Sequence, residues 1–181
     1  MLVTFTRLTA ARYGVDAIRT SGPPARLRVT PRQAEDLPPD LAQLLVEREF
    51  GLKLGVYGQL NAGGDAGRFW SAPADRDARL AHLAHRLRVT GRGDVGRSVT
   101  LVAVCMAAWQ VEAGRRPLPL GAVGVASLLD ATEIPVAAVS AAVAAFDDAA
   151  LAWSRSPVGG ALRFEWPAAL SLLPLPHKRS A

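Results

Sequence analysis

The sequence is poor in the residues that form covalent or metal cross-links. Among its 181 residues there are three histidines and one cysteine, Cys105. A single cysteine excludes an intrachain disulfide and any metal cluster held by several thiolates, and we expect Cys105, inside an apolar run, to be a buried core residue. We therefore predict a protein without a bound metal or other cofactor.

Lysine is almost absent, with only Lys53 and Lys178, so the net charge of +5 comes from arginines scattered along the chain. Basic charge without an element that reads base edges is a weak signal for nucleic-acid binding. Residues 125–140 have the rhythm of a helix-turn-helix, but the reading helix over residues 136–146 contains no Arg, Lys, Asn or Gln. We therefore predict no sequence-specific binding to nucleic acid.

No stretch of the sequence has the pattern of a secretory signal or a membrane anchor. The first seven residues lack a basic region followed by an apolar one. Residues 98–111 are apolar but fall short of the roughly 20 residues that span a bilayer. Residues 134–153 have that length, but Asp147 and Asp148 interrupt them. We expect a soluble, cytoplasmic protein that does not bind membranes.

Hydrophobic periodicity predicts an α+β fold. Alternation of apolar residues predicts an N-terminal hairpin, with strands around residues 3–6 and 13–18, and a C-terminal strand at 161–166. Helical spacing predicts five helices, at about 38–50, 74–89, 95–113 or 98–113, 120–129 and 135–153. Residues 55–70 are predicted to be a glycine-rich loop, and residues 90–94 a break. We expect the third helix, apolar nearly all round, in the middle of the fold.

We therefore predict one domain over residues 1–167, in which a small antiparallel sheet packs on about five helices. Residues 168–181 carry two prolines and are predicted to be a flexible tail.

The first predicted helix carries a stripe of polar residues, Asp40, Gln43 and Glu47, opposite its leucines. Two interpretations remain open. The stripe is either part of a site, with Glu47 and Asp40 in catalytic roles and Gln43, Tyr57 and Gln59 binding a ligand, or it is a solvated helix face with Asp40 favouring the helix N-terminus.

Three short blocks, at residues 37–47, 51–64 and 157–167, resemble an uncharacterised family of actinobacterial proteins. In that family the first block looks like L-P-H-D-L-x-H-x-x-x-E. Here Pro39 and Gln43 stand where the family has histidines, whereas Glu47 matches its glutamate. Two histidines and a carboxylate on one helical face could hold a divalent metal. The resemblance therefore implies that any such site is lost or moved in this chain.

Two classes of function remain open. The first is a small-molecule enzyme or ligand-binding protein with a cleft between the sheet and the first helix, since glycine-rich loops beside polar helical residues often form sites. The second is a non-catalytic regulatory or interaction module whose basic helix, over residues 76–97, binds an acidic partner. The oligomeric state is left open.

Overall fold

The computed structural model describes residues 1–19, 24–27, 36–67, 69–70, 78–114 and 134–172. In these residues a five-stranded antiparallel sheet accompanies five α-helices, so the predicted α+β fold is confirmed. The strands are β1 (Leu2–Arg7), β2 (Tyr13–Ile18), β3 (Ala25–Leu27), β4 (Phe69–Trp70) and β5 (Ala161–Glu165). The helices are α1 (Pro39–Glu49), α2 (Val56–Asn61), α3 (Ala78–Thr90), α4 (Arg92–Glu112) and α5 (Val136–Arg155).

The sheet has the strand order β4-β3-β2-β1-β5, so the chain's first strand pairs with its last. The predicted hairpin and C-terminal strand are both confirmed. Phe5 lies opposite Val15 on β2 and Leu162 on β5. Opposed residues of an antiparallel pair lie on the same face, which places these three side chains together. Phe5 and Val15 are completely buried and Leu162 is partly buried, so this face covers the core.

The central helix is α1, and the prediction that the third helix occupies the middle of the fold is wrong. Every residue of α1 from 40 to 47 is buried, and α1 contacts both α4 and α5. In contrast, α4 leaves one face open, with Val99 61% exposed. Apolarity all round did not identify the central helix because the polar side of α1 is buried against polar partners.

The predicted loop over residues 55–70 is also wrong in part, because it contains α2 and β4. The local sequence does not indicate the helix α2, since the hydrogen-bond acceptor for its N-terminal amides comes from another helix. The predicted break at residues 90–94 is only Gly91, and α4 begins at Arg92. A Cβ at Gly91 would lie 2.6 Å from the main-chain oxygen of Leu54, so a close approach of backbone segments requires glycine there.

Two predicted helices extend into or lie within segments outside the described chain. The second begins at Ala78 in the structure, with residues 71–77 outside the described part of the chain. The fourth, at residues 120–129, lies wholly outside it.

Part of the predicted tail packs on the domain. Residues Ala168–Leu170 form a 3₁₀ turn, and Leu170 packs against the core. The side-chain amide of Asn61 donates a hydrogen bond to Ser171 Oγ at 2.9 Å. Residues 173–181 lie outside the described chain.

By length and composition alone, α5 could cross a membrane, and it is the one such helix in the described chain. The core helix of a soluble protein passes the same test. One face of α5 does enter the core, through six residues: Val139, Ala142, Val143, Phe146, Ala149 and Trp153.

Candidate functional site

Glu47 is the centre of a buried polar network. Its side chain is 0% exposed, and its carboxylate accepts three hydrogen bonds of 2.8 Å. The backbone N–H of Val56 and the hydroxyl of Ser98 donate to Oε1, and the backbone N–H of Tyr57 donates to Oε2. The first amides of a helix lack intrahelical acceptors, so Glu47 caps α2 from α1. It thereby joins α1, α2 and α4.

Burial raises the pKa of Glu47 from its usual 4.5 to about 7. The hydrogen bonds donated by Tyr57, Ser98 and Val56 act in the opposite direction, because they stabilise the carboxylate, but burial is the larger effect. Glu47 therefore gains and loses its proton near neutral pH, whereas an exposed glutamate is ionised there.

Gln43 extends this network on the same helix. Its amide nitrogen donates to Ser98 Oγ at 3.1 Å, and the Ser98 hydroxyl in turn donates to Glu47. Gln43 and Ser98 are 6% and 0% exposed. Ser98 was not predicted from the sequence. A single serine on an apolar helix was the available signal, but its partner lies 51 residues away in the chain.

Asp40 is the centre of a second buried polar group, about two helical turns before Glu47 on α1. The Tyr13 hydroxyl donates to Asp40 Oδ2 at 2.5 Å, and the Tyr57 hydroxyl donates to the main-chain oxygen of Asp40 at 2.8 Å. Asp40 is 3% exposed. With Gln43 and Glu47 also buried, the interpretation of this stripe as a solvated helix face is wrong. Polar partners from β2, α2 and α4 compensate its burial.

Gln59, on α2, is the predicted ligand-binding residue with unused hydrogen-bonding capacity. Its amide nitrogen donates to the Leu54 main-chain oxygen at 3.0 Å. Its Oε1 is buried and accepts no hydrogen bond from the described residues, and the same holds for Oδ1 of Asn61. Because buried carbonyl oxygens normally have a donor, these two atoms mark the place where a partner is missing from the described chain.

The packing around Glu47 limits what this carboxyl group can do chemically. A Cβ at Gly55 would lie only 2.6 Å from Glu47 Oε2, so the loop before α2 is pressed against the carboxylate. In this conformation Glu47 can hold a proton and fix the positions of three helices, but a substrate cannot reach it. The structure thus brings Asp40, Gln43, Glu47 and Tyr57 together, with Gln59 on the adjoining part of α2.

Metal-ligating side chains do not converge in the described residues, where no group of three or more His, Cys, Asp or Glu could hold an ion. His82 and His85 are exposed on α3. Cys105 is buried, as predicted.

Comparison with known proteins found no matching family model, no matching curated protein and no matching solved structure. The resemblance to an actinobacterial family therefore stays a prediction.

Proposed function

We propose that this protein binds a small molecule beside α2 and recognises it through Gln59. The observation that carries the proposal is the buried Oε1 of Gln59, which has no donor among the described residues although the side chain is 1% exposed. Leaving such an atom unsatisfied costs about 1–3 kcal/mol. A ligand with an N–H or O–H group would recover that free energy on binding.

The glycine-rich segment at residues 62–67 is the proposed entrance. It follows directly from the C-terminus of α2 and caps it, since the Gly64 backbone N–H donates to the Gln59 main-chain oxygen at 2.8 Å. Gly63 and Gly67 adopt positive φ values of 93° and 71°, which glycine tolerates without strain. We propose that this segment moves to admit the ligand and then covers it.

The buried carboxyl groups have a supporting role in this proposal. Glu47 fixes the N-terminus of α2, and Asp40 fixes Tyr57, so that Gln59 is presented on a rigid helix. Glu47 can hold a proton near neutral pH, since its pKa is about 7, but its burial keeps the carboxyl group out of a ligand's reach in this conformation. We further propose that the protein is soluble and cytoplasmic, and that α5 is a core helix, as its buried face suggests.

A thermal-shift screen of polar metabolites tests the proposal. We expect at least one compound to raise the melting temperature of the wild-type protein by several degrees, because a ligand that binds only the folded state stabilises it. The shift should be lost in Gln59→Met, which removes the acceptor at similar volume. It should persist in Gln110→Met, a matched change of a partly exposed glutamine on α4. A stabilising compound that acts equally on Gln59→Met would contradict the proposal.

The second candidate function is a module that binds an acidic partner. It is favoured by exposed arginines on α3 and at the start of α4, namely Arg86, Arg92 and Arg97. Under this alternative, heparin or polyglutamate would raise the melting temperature in low salt and lose its effect near 0.15 M salt, where screening is strong. Charge reversal at Arg92 and Arg97 would abolish that effect.

A further inference from the structure

An arginine lies on the core-facing side of the sheet without an acidic partner in the described chain. Arg7 follows Val3 and Phe5 on β1 at the same two-residue spacing, and it is opposite the buried Tyr13. The guanidinium carbon of Arg7 lies 4.7 Å from the centre of the Trp153 ring, which is a cation–π contact. Charged side chains are rarely placed on the inner face of a sheet unless they are paired.

Both side chains of this pair have unsatisfied donors. Arg7 Nε and Trp153 Nε1 are each buried without a hydrogen-bond acceptor in the described residues. Trp153 is 1% exposed, whereas Arg7 as a whole is partly exposed. Two adjacent buried donors, one of them cationic, require an acceptor that carries negative charge.

The segments of sequence that carry the pair contain no carboxylate side chain. Residues 1–15 and 149–164, which supply Arg7 and Trp153, contain no Asp or Glu. Asp40 is connected to the pair through Tyr13, which donates to the Asp40 carboxylate and whose ring packs edge-on against Trp153 at 6.2 Å.

The backbone holds Arg7 firmly at this position. Its N–H donates to the Gly160 main-chain oxygen at 2.9 Å, and its own main-chain oxygen accepts from Gly159 N–H at 2.7 Å. The side chain, with several rotatable bonds, can therefore move while its point of attachment stays fixed.

We propose that Arg7 and Trp153 form a binding site for a carboxylate group of a ligand. The site provides one positive charge and one neutral donor, which suits a carboxylate with one negative charge better than a phosphate with nearly two. The carboxylate meets the partly exposed Arg7 first, and the shift of Arg7 brings it to the indole N–H. This site does not rest on the role proposed for Gln59.

The test is an NMR titration of the full-length, ¹⁵N-labelled protein with sodium acetate and, separately, inorganic phosphate and sodium chloride, at constant ionic strength. The sequence has four tryptophans, and Trp153→Phe identifies the Trp153 indole signal. We expect acetate to shift that signal saturably, with half-saturation at about 1–10 mM. Chloride should have no saturable effect, and phosphate should bind more weakly than acetate.

Two variants separate this site from general charge effects. Arg7→Lys keeps the charge but loses the planar guanidinium, so we expect affinity to fall about tenfold or more. Arg163→Lys changes an exposed arginine of β5 and should leave affinity unchanged. The proposal is overturned if the wild-type signal shows no saturable shift with acetate, if Arg7→Lys binds acetate as tightly as wild type, or if phosphate binds more tightly than acetate.

Discussion

Replacing Glu47 by glutamine should change how the stability of this protein depends on pH. In the folded protein the carboxyl group has a pKa of about 7, against 4.5 in its usual environment. Because the folded-state pKa is raised, the stabilising contribution of the protonated group is fully present below pH 4.5. It is lost as pH rises through 7. Each unit of pKa difference corresponds to about 1.4 kcal/mol, so the total change is roughly 3 kcal/mol.

The measurement is urea unfolding of the wild type and Glu47→Gln at several pH values between 4 and 8. Glutamine does not titrate, so the difference in unfolding free energy between the two proteins isolates Glu47. We expect the wild type to lose roughly 3 kcal/mol relative to the variant across this range. The m-values should stay equal, which shows that both proteins expose the same surface on unfolding.

A matched control is Glu49→Gln, on the same helix but exposed. It shows what the loss of a carboxyl group does to stability outside the buried network. If the difference in unfolding free energy between wild type and Glu47→Gln did not change with pH, burial would not be the dominant effect on the pKa of Glu47. A wild type that gains stability relative to Glu47→Gln as pH rises would show that the donated hydrogen bonds outweigh burial.

Two further substitutions test the packing of the network, and one chemical treatment tests the burial of Cys105. Tyr13→Phe removes the donor to Asp40 and should lower the unfolding free energy by about 1–3 kcal/mol, measured by urea denaturation. Gly55→Ala places a methyl group against the Glu47 carboxylate and should cost about 1–3 kcal/mol or more, seen as a lower melting temperature. Burial raises the pKa of Cys105 to about 12, so a thiol reagent at pH 8 should modify it only after unfolding in urea.

The Gly55→Ala test has a matched control variant. Gly93→Ala, on α4, meets no other atom within 4 Å and should leave stability unchanged or raise it by up to about 1 kcal/mol. A Gly55→Ala protein as stable as Gly93→Ala would show that the α2 loop does not press on Glu47. Rapid modification of Cys105 in the native protein would contradict its burial. If Tyr13→Phe had the same unfolding free energy as wild type, the hydrogen bond to Asp40 would contribute nothing to stability.

Strands β1, β2 and β5 were predictable from the sequence because their signal is local. Alternation in residues 3–6, 13–18 and 161–166 places apolar side chains on one face whatever the rest of the chain does. The helix α2 was not predictable, because six residues that include Gly58 form a helix only when an external acceptor caps them. That acceptor is Glu47, whose partners are 9 and 10 residues away.

The candidate site was predictable in its membership but not in its arrangement. Spacing of three and four residues puts Asp40, Gln43 and Glu47 on one helical face, yet it does not tell whether that face is solvated or buried. Burial depends on Ser98 and Tyr13, which come from distant segments. Nothing in the sequence indicated that Arg7 faces the core, because alternation along a strand does not show whether an arginine at its end points inward.

Hydrogen–deuterium exchange with the most stabilising small molecule of the screen tests the central claim most directly, namely that a ligand binds beside α2. We predict slower exchange in α2 and in residues 62–67, because the ligand donates a hydrogen bond to Gln59 Oε1 and residues 62–67 cover the ligand. Protection confined to α3, or no change in any segment at saturating concentration, would contradict the claim.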